Sequence, residues 1–270
     1  KLKTPDAAIK KITQPYASFG GRTKESTNHF YLRVSERLRH KARAINIWDY
    51  EHIILENFPE IYKVKCLNHT GLVTDDSNGK EYTNELMPGH VLIITIPILI
   101  NRNDANTLKP FTNQGTLTKI ETYLSSRISC FVTLKARQPL FEEINMKFNL
   151  KLRPQYMDFV FYSGMLQDAI TRYLTPWAYN DNKDIQFGGK IYKSSIINFI
   201  EDQYYVDYIT DVEMLLTIDE TSPGQKDAEV AIASTVRSIL VSAPPSKHII
   251  TQIVDEAAPE NKECVDLRAV

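Results

Sequence analysis

Residues 46–66 read NIWDYEHIILENFPEIYKVKC, and beyond a polar gap residues 88–97 read PGHVLIITIP. Asn46 and Asp49 have the spacing of a capping box, with Asn and Asp in place of the usual Ser/Thr and Glu. Ile47, Tyr50, Ile54 and Phe58 follow on one face at helical period, and Pro59 ends the helix. Residues 61–67 then alternate as a strand. Pro88-Gly89 makes a turn into the apolar run 91–98, which suits a second, buried strand. Upstream, GGRTKES at 20–26 breaks the chain at Gly20-Gly21 and offers Ser26 as a helix cap. Phe30, Val34 and Leu38 then share one face of a charged helix. The order is helix, helix, strand, turn, strand.

The second half follows similar logic. Residues 103–116 (NDANTLKPFTNQGT) form a polar stretch with Pro110 and Gly115, the best boundary in the chain. Leu117, Ile120, Leu124 and Ile128 predict a short amphipathic helix, and 131–136 a strand. Residues 143–152 alternate most cleanly. Ile144, Met146, Phe148, Leu150 and Leu152 point one way, and Glu143, Asn145, Lys147, Asn149 and Lys151 the other. That pattern predicts one buried and one wet face in an antiparallel sheet. Phe159, Tyr162, Leu166, Ala169, Ile170 and Tyr173 predict a helix closed by Pro176. Gly188-Gly189 marks a turn, Ser194 or Ser195 is expected to cap a short helix, and 206–216 alternates again. Residues 234–242 and 249–254, separated by Pro244-Pro245, are candidate strands. The last sixteen residues, DEAAPENKECVDLRAV, are polar and acidic and are expected to order only against something else.

The 270 residues are 43% hydrophobic and 24% charged, ordinary values for a globular chain, with net charge −1. Residues 1–65 hold thirteen Lys/Arg against seven Asp/Glu, a net of +6, whereas 201–270 hold five against fourteen, a net of −9. Such a split describes either two differently solvated surfaces or a subunit whose basic end meets an acidic neighbour. Cys66, Cys130 and Cys264 have no metal or redox spacing. Cys66 and Cys130 are expected to be buried and Cys264 an exposed tail thiol. No signal peptide is read, and the longest apolar run, 91–100, is too short to span a bilayer.

Chemistry is hard to find. His29, His40, His52, His69, His90 and His248 have no metal spacing. Asp75-Asp76 with Asn78-Gly79 lacks the calcium-loop pattern. No nucleophile elbow or phosphate loop occurs. Catalytic, cofactor-binding and metal-ligating residues are therefore expected to be none. Arg33, Arg37, Arg39, Lys41 and Arg43 form the basic cluster. Of these Arg33, Arg37 and Arg43 are the candidate interface residues. Aromatics crowd into 156–179 and 204–208, and any left exposed would favour protein–protein contact.

This order of elements resembles the baseplate J-like family of contractile phage tails and related injection machines. The positions that carry the resemblance are Gly20, Gly21, Glu25, Ser26, Phe30, Arg33, Val34, Asp49, Tyr50, Pro59, Glu60, Val64, Pro88, Gly89 and Val91, with a weaker match over 117–216. It implies a structural wedge subunit that couples baseplate rearrangement to sheath contraction by switching interfaces, not an enzyme. The partners it implies are other wedge and hub proteins, copies of itself and the sheath, with no nucleic acid and no membrane insertion. Such a protein would be made in the bacterial cytoplasm and built into a tail-like particle or virion. The family places the Gly20 motif well inside longer proteins, so a segment of a longer chain is expected. The fold expected is α+β with two small domains, each with helices on a mainly antiparallel sheet. They are residues 1–102 and 117–220, joined by the linker 103–116 and followed by strands and an acidic tail over 221–270. Two alternatives stay open: a nucleic-acid binder using the helix around 33–43, and an enzyme with a scattered site.

Overall fold

The computed structural model describes residues 13, 24–74, 79, 81–98, 107–179, 183–217 and 227–254. Residues 1–42 form one compact unit and residues 43–270 another. Gly20, Gly21, the Asp75–Asp76 pair, Cys264 and the acidic tail lie outside the described residues.

In the first unit the helix α1 spans Thr27–His40. Ser26 Oγ accepts the His29 amide at 3.3 Å, the cap expected from the sequence. Lys41 ends the helix at φ 49°, its N–H on the Arg37 carbonyl. Ala42 follows at φ 57°, its N–H held by His40 Nδ1 at 2.9 Å. Two successive left-handed non-glycine residues are uncommon, and hydrogen bonds on both amides offset the steric cost. On the predicted apolar face, Phe30 is 46% and Leu38 70% exposed.

The second unit opens with α2 (Ile47–Asn57), whose capping box between Asn46 and Asp49 is complete. Strand β1 (Ile61–Asn68) follows, then a short hairpin of β2 (Gly71–Thr74) and β3 (Glu81–Asn84) inside the polar gap. Gly89 takes φ 79° at the expected turn and leads into β4 (His90–Pro97). Strand β4 runs antiparallel to β1 and is buried from Leu92 to Pro97, so both of its edges need partners. The second partner comes from beyond the expected linker. Helix α3 (Gln114–Ser125) crosses over and delivers β5 (Thr133–Arg137) parallel to β4, giving the order β1-β4-β5. Described residues 107–116 therefore lead into the crossover of this same layer. Ile53, Ile54, Val64, Ile93, Leu117, Ile120 and Leu124 fill the core of this layer. Cys130, expected inside, is exposed, because β5 begins only at Thr133.

Strand β6 (Leu140–Leu152) is the axis of a second sheet. Helix α4 (Phe159–Leu174), β7 (Lys190–Tyr192), α5 (Lys193–Glu201) and β8 (Val206–Thr217) follow. Then come β9 (Val230–Ile232), β10 (Ser238–Ser242) and β11 (Ile249–Gln252). Strand β8 pairs antiparallel with β6 on one edge. Strands β10 and β11 lie end to end and parallel on the other, and β7 pairs with β9. The architecture is α+β and mainly antiparallel, with parallel pairs that local sequence pattern does not reveal. Asp211 sits at φ 51° where two residues of β8, Asp211 and Val212, face Phe148 alone, a bulge that Asn149 Nδ2 pins at 2.7 Å to Asp211 Oδ2.

The predicted inward face of β6 is right. Ile144, Met146, Phe148 and Leu150 pack with Leu166, Ile170, Ile196, Ile200 and Tyr205. The opposite face is not uniformly wet. Glu143 and Asn145 are buried, and Glu143 is clamped by Lys109 at 2.6 Å and Lys247 at 2.9 Å. Burial alone would raise its pKa, but the two ammonium groups hold it below the usual carboxylate value. Helix α5 begins at Lys193, earlier than its serines, with Tyr192 at the cap position. Lys193 is buried against Asp227 at 3.0 Å and Glu229 at 3.2 Å, a brace that fixes the start of the helix without a side-chain cap.

The two sheets share material. Ile96 from the first packs in one cluster with Phe141, Ile239 and Val241 of the second and with Trp177 and Ile185 between α4 and β7. Lys63 Nζ reaches Asp184 Oδ2 at 2.5 Å and the Ile185 carbonyl at 2.6 Å, and Lys65 Nζ reaches the Val236 carbonyl at 3.0 Å. Residues from both sides of the expected linker thus bury one another.

Candidate interface surfaces

Arg33 and Arg37 both lie on α1, one turn apart, and Arg43 opens the other unit. Arg33 is already engaged. Its Nε and Nη2 form a fork on Glu25 Oε1 and Oε2 at 2.9 and 3.0 Å, which lowers the Glu25 pKa. Its guanidinium also stands 5.5 Å from the Phe30 ring centre. Arg37 lends its carbonyl to the helix terminus.

Arg43 lines a cleft of about 410 Å³ with Ile45, Tyr50, Arg127, Ile128 and Val132. The walls are tied by the Ala44 amide, which donates to the Arg127 carbonyl at 2.9 Å. Arg127 is posed by its own turn. Its guanidinium lies 3.6 Å from the Tyr123 ring centre, and Nη1 donates to the Tyr123 carbonyl at 2.6 Å and to Ser126 Oγ at 2.8 Å. The residues lining this cleft include no carboxylate. Asp49, nearby in sequence, spends Oδ2 on the Ile45 and Asn46 amides at 3.1 Å each. The sequence flagged Arg43 by charge. Arg127, outside any basic run, gave no signal.

A second surface gathers the two aromatic-rich stretches. Tyr156 stands 5.2 Å from Tyr162 and 5.5 Å from Tyr204, and Tyr162 stands 5.2 Å from Tyr205. Tyr205 is buried at the base, and burial pushes its hydroxyl pKa up to about 12. Around the rim Met157 is 89% and Val160 81% exposed, with Phe161 and Tyr204 also exposed. An apolar rim over a rigid ring cluster has the composition of an interface hot spot. Val160 escaped the sequence reading because periodicity identifies only the helix face that meets the core, and Met157 because it precedes the helix, where no period applies.

Among the described residues no group of His, Cys, Asp and Glu is arranged to hold a metal ion. No described helix is long and apolar enough to cross a membrane. Burial pushes the Cys66 thiol up to about 12, so it is no nucleophile at neutral pH.

Comparison with known proteins supplies what the side chains alone do not. Residues 2–242 match the family model described as "Baseplate protein PVC11-like". No curated protein sequence matches. Among solved structures, a chain of "Cryo-EM structure of the anti-feeding prophage (AFP) baseplate, 6-fold symmetrised" superposes with a TM-score of 0.54 at 18% identity. The match covers 89% of this chain and 47% of that one, so this chain spans about half its length. At that identity the likeness is one of fold. The matching family is a baseplate family, under a description different from the baseplate J-like one expected.

Proposed function

We propose that this chain, which belongs to the PVC11-like family of baseplate proteins, is a wedge subunit in the baseplate of a contractile tail or injection machine. The family match over residues 2–242 carries this reading. The surfaces support it: the exposed apolar rim at Met157, Val160 and Phe161 and the Arg43–Arg127 cleft are shaped for protein partners. In this role the chain contributes shape and interfaces to the assembled particle, and its partners are other wedge and hub proteins, further copies of itself and the sheath. Rearrangement of those interfaces would couple the baseplate to sheath contraction. Synthesis in the bacterial cytoplasm and incorporation into a tail-like particle follow from the same reading. The nucleic-acid alternative is disfavoured by Arg33, whose fork is closed on Glu25 and not held ready for phosphate.

The test is mass spectrometry and electron microscopy of native particles carrying a tagged copy of the chain. Co-purification with sheath and tube proteins at fixed stoichiometry is the expected outcome. A chain that fractionates away from intact particles would end the proposal.

A further inference from the structure

We infer that the Arg43–Arg127 cleft is the docking site for an acidic, apolar peptide segment of a partner protein. Three features of the cleft select that chemistry. Its walls include Ile45, Tyr50, Ile128 and Val132, and Ile45 is 75% exposed, an apolar surface left in water at the mouth of a concavity. Its charge is of one sign, since two guanidiniums line it and no carboxylate does. Its cations are open to a ligand. Arg43 makes no hydrogen bond or ion pair among the described residues, and Arg127 uses only Nη1, leaving Nε and Nη2 without a partner among them.

A guanidinium fork matches a carboxylate in geometry, so a Glu or Asp would close on Arg127 or Arg43 while a neighbouring Leu or Ile fills the apolar wall. A bare anion would leave the aliphatic wall wet. A neutral apolar segment would bury the guanidiniums without a counter-charge, which is costly. The cleft is also prearranged. The Tyr123 ring and carbonyl fix Arg127, and the Ala44–Arg127 backbone bond fixes the spacing of the walls, so little ordering cost falls on binding. The inference deepens the proposed assembly role and rests on it, by naming the chemistry of one of its contacts.

The experiment uses the whole chain and a fluorescent, terminally blocked peptide, Leu-Glu-Ile-Glu-Leu, with Leu-Gln-Ile-Gln-Leu as its neutral counterpart. Fluorescence anisotropy should show the glutamate peptide binding at least about tenfold tighter, as expected for loss of a charge-assisted pair. Arg43→Glu should weaken it by a similar factor while thermal unfolding stays unchanged, and Ile45→Asp should do the same. Equal binding of the two peptides, no binding of either, or indifference to Arg43→Glu would overturn the inference. Inorganic phosphate displacing the peptide at equal concentration would make this an anion site. A concentration-dependent dimer abolished by Arg43→Glu would make the occupant a second copy. Either result replaces the proposal. Because these measurements need no particle, a chain that co-purifies with particles but ignores the peptide sinks this inference alone. A chain that binds the peptide but never enters particles sinks the wedge reading.

Discussion

Glu51 and Glu121 seal the two outer edges of one sheet in the same way. Glu51 Oε1 accepts the Cys66 amide of β1 at 2.9 Å, and Glu121 Oε1 accepts the Ala136 amide of β5 at 2.7 Å. Each carboxylate stands fifteen residues before its amide, on the helix that precedes and packs on that strand. An edge amide that would otherwise seek another strand is satisfied within the layer.

Removing either carboxylate should therefore leave a strand amide without an acceptor. Glu51→Ala and Glu121→Ala should each cost about 1–3 kcal/mol in urea unfolding, the range for a buried donor left unmade. Gln keeps the carbonyl acceptor, so Glu51→Gln and Glu121→Gln should retain most of the stability. A Gln variant as damaged as the Ala variant would show that charge, not acceptance, is what matters.

Phe148 is almost wholly buried at the centre of the second sheet's core. Phe148→Ala should cost about 3–5 kcal/mol by cavity formation. Chemical denaturation giving a loss under about 1 kcal/mol, far below that range, would mean the cavity refills or the face is misassigned.

His248 provides a pH test. Its Nδ1 accepts the Met146 amide at 3.1 Å, so Nε2 carries the proton and donates to Ser242 Oγ at 3.0 Å. Burial among these uncharged partners holds its pKa down to about 4, against an ordinary value of 6.5. The unfolded chain takes up a proton below about pH 6.5, and the folded chain does not until about pH 4. The resulting stability is fully present above pH 6.5 and is lost as pH falls through that window, by roughly 3 kcal/mol in all. Equilibrium unfolding across pH 4–7 should show this slope. His248→Gln should flatten it, and an unchanged slope in the variant would move the effect to other groups.

Much of this was legible locally. The Ser26 cap and the Asn46–Asp49 box are set by residues three apart, and the inward face of β6 by strict alternation. What could not be read depends on distant chain. Glu143 looked solvated until Lys109 and Lys247 closed on it. The polar composition around Pro110 and Gly115 gives no sign of the crossover to β5 that follows it. Half of the cleft was visible as Arg43, but Arg127 enters it through a backbone bond to Ala44 that no spacing rule anticipates.

The α1 arginines test the assembly role. Arg33→Glu with Arg37→Glu should leave thermal unfolding nearly unchanged, since the Arg33–Glu25 pair is more than a third exposed and such pairs contribute little. The same pair of changes should reduce incorporation into particles, because like charges across a contact repel. Normal incorporation of a normally folded double variant would make this face plain solvated surface.

The kink in β8 bears on what can attach along that strand's border. Beyond the kink, Asp227 Oδ1 accepts the Met214 amide and the Ala228 amide donates to the Met214 carbonyl, while the stretch from Val206 to Thr210 ends where Asp211 turns the strand aside. A stray strand arriving there finds a short ledge that ends in a bulge and a carboxylate, features that blunt edge pairing. Backbone pairing is discouraged along this border, and contacts made there fall to side chains, which can let go and be remade.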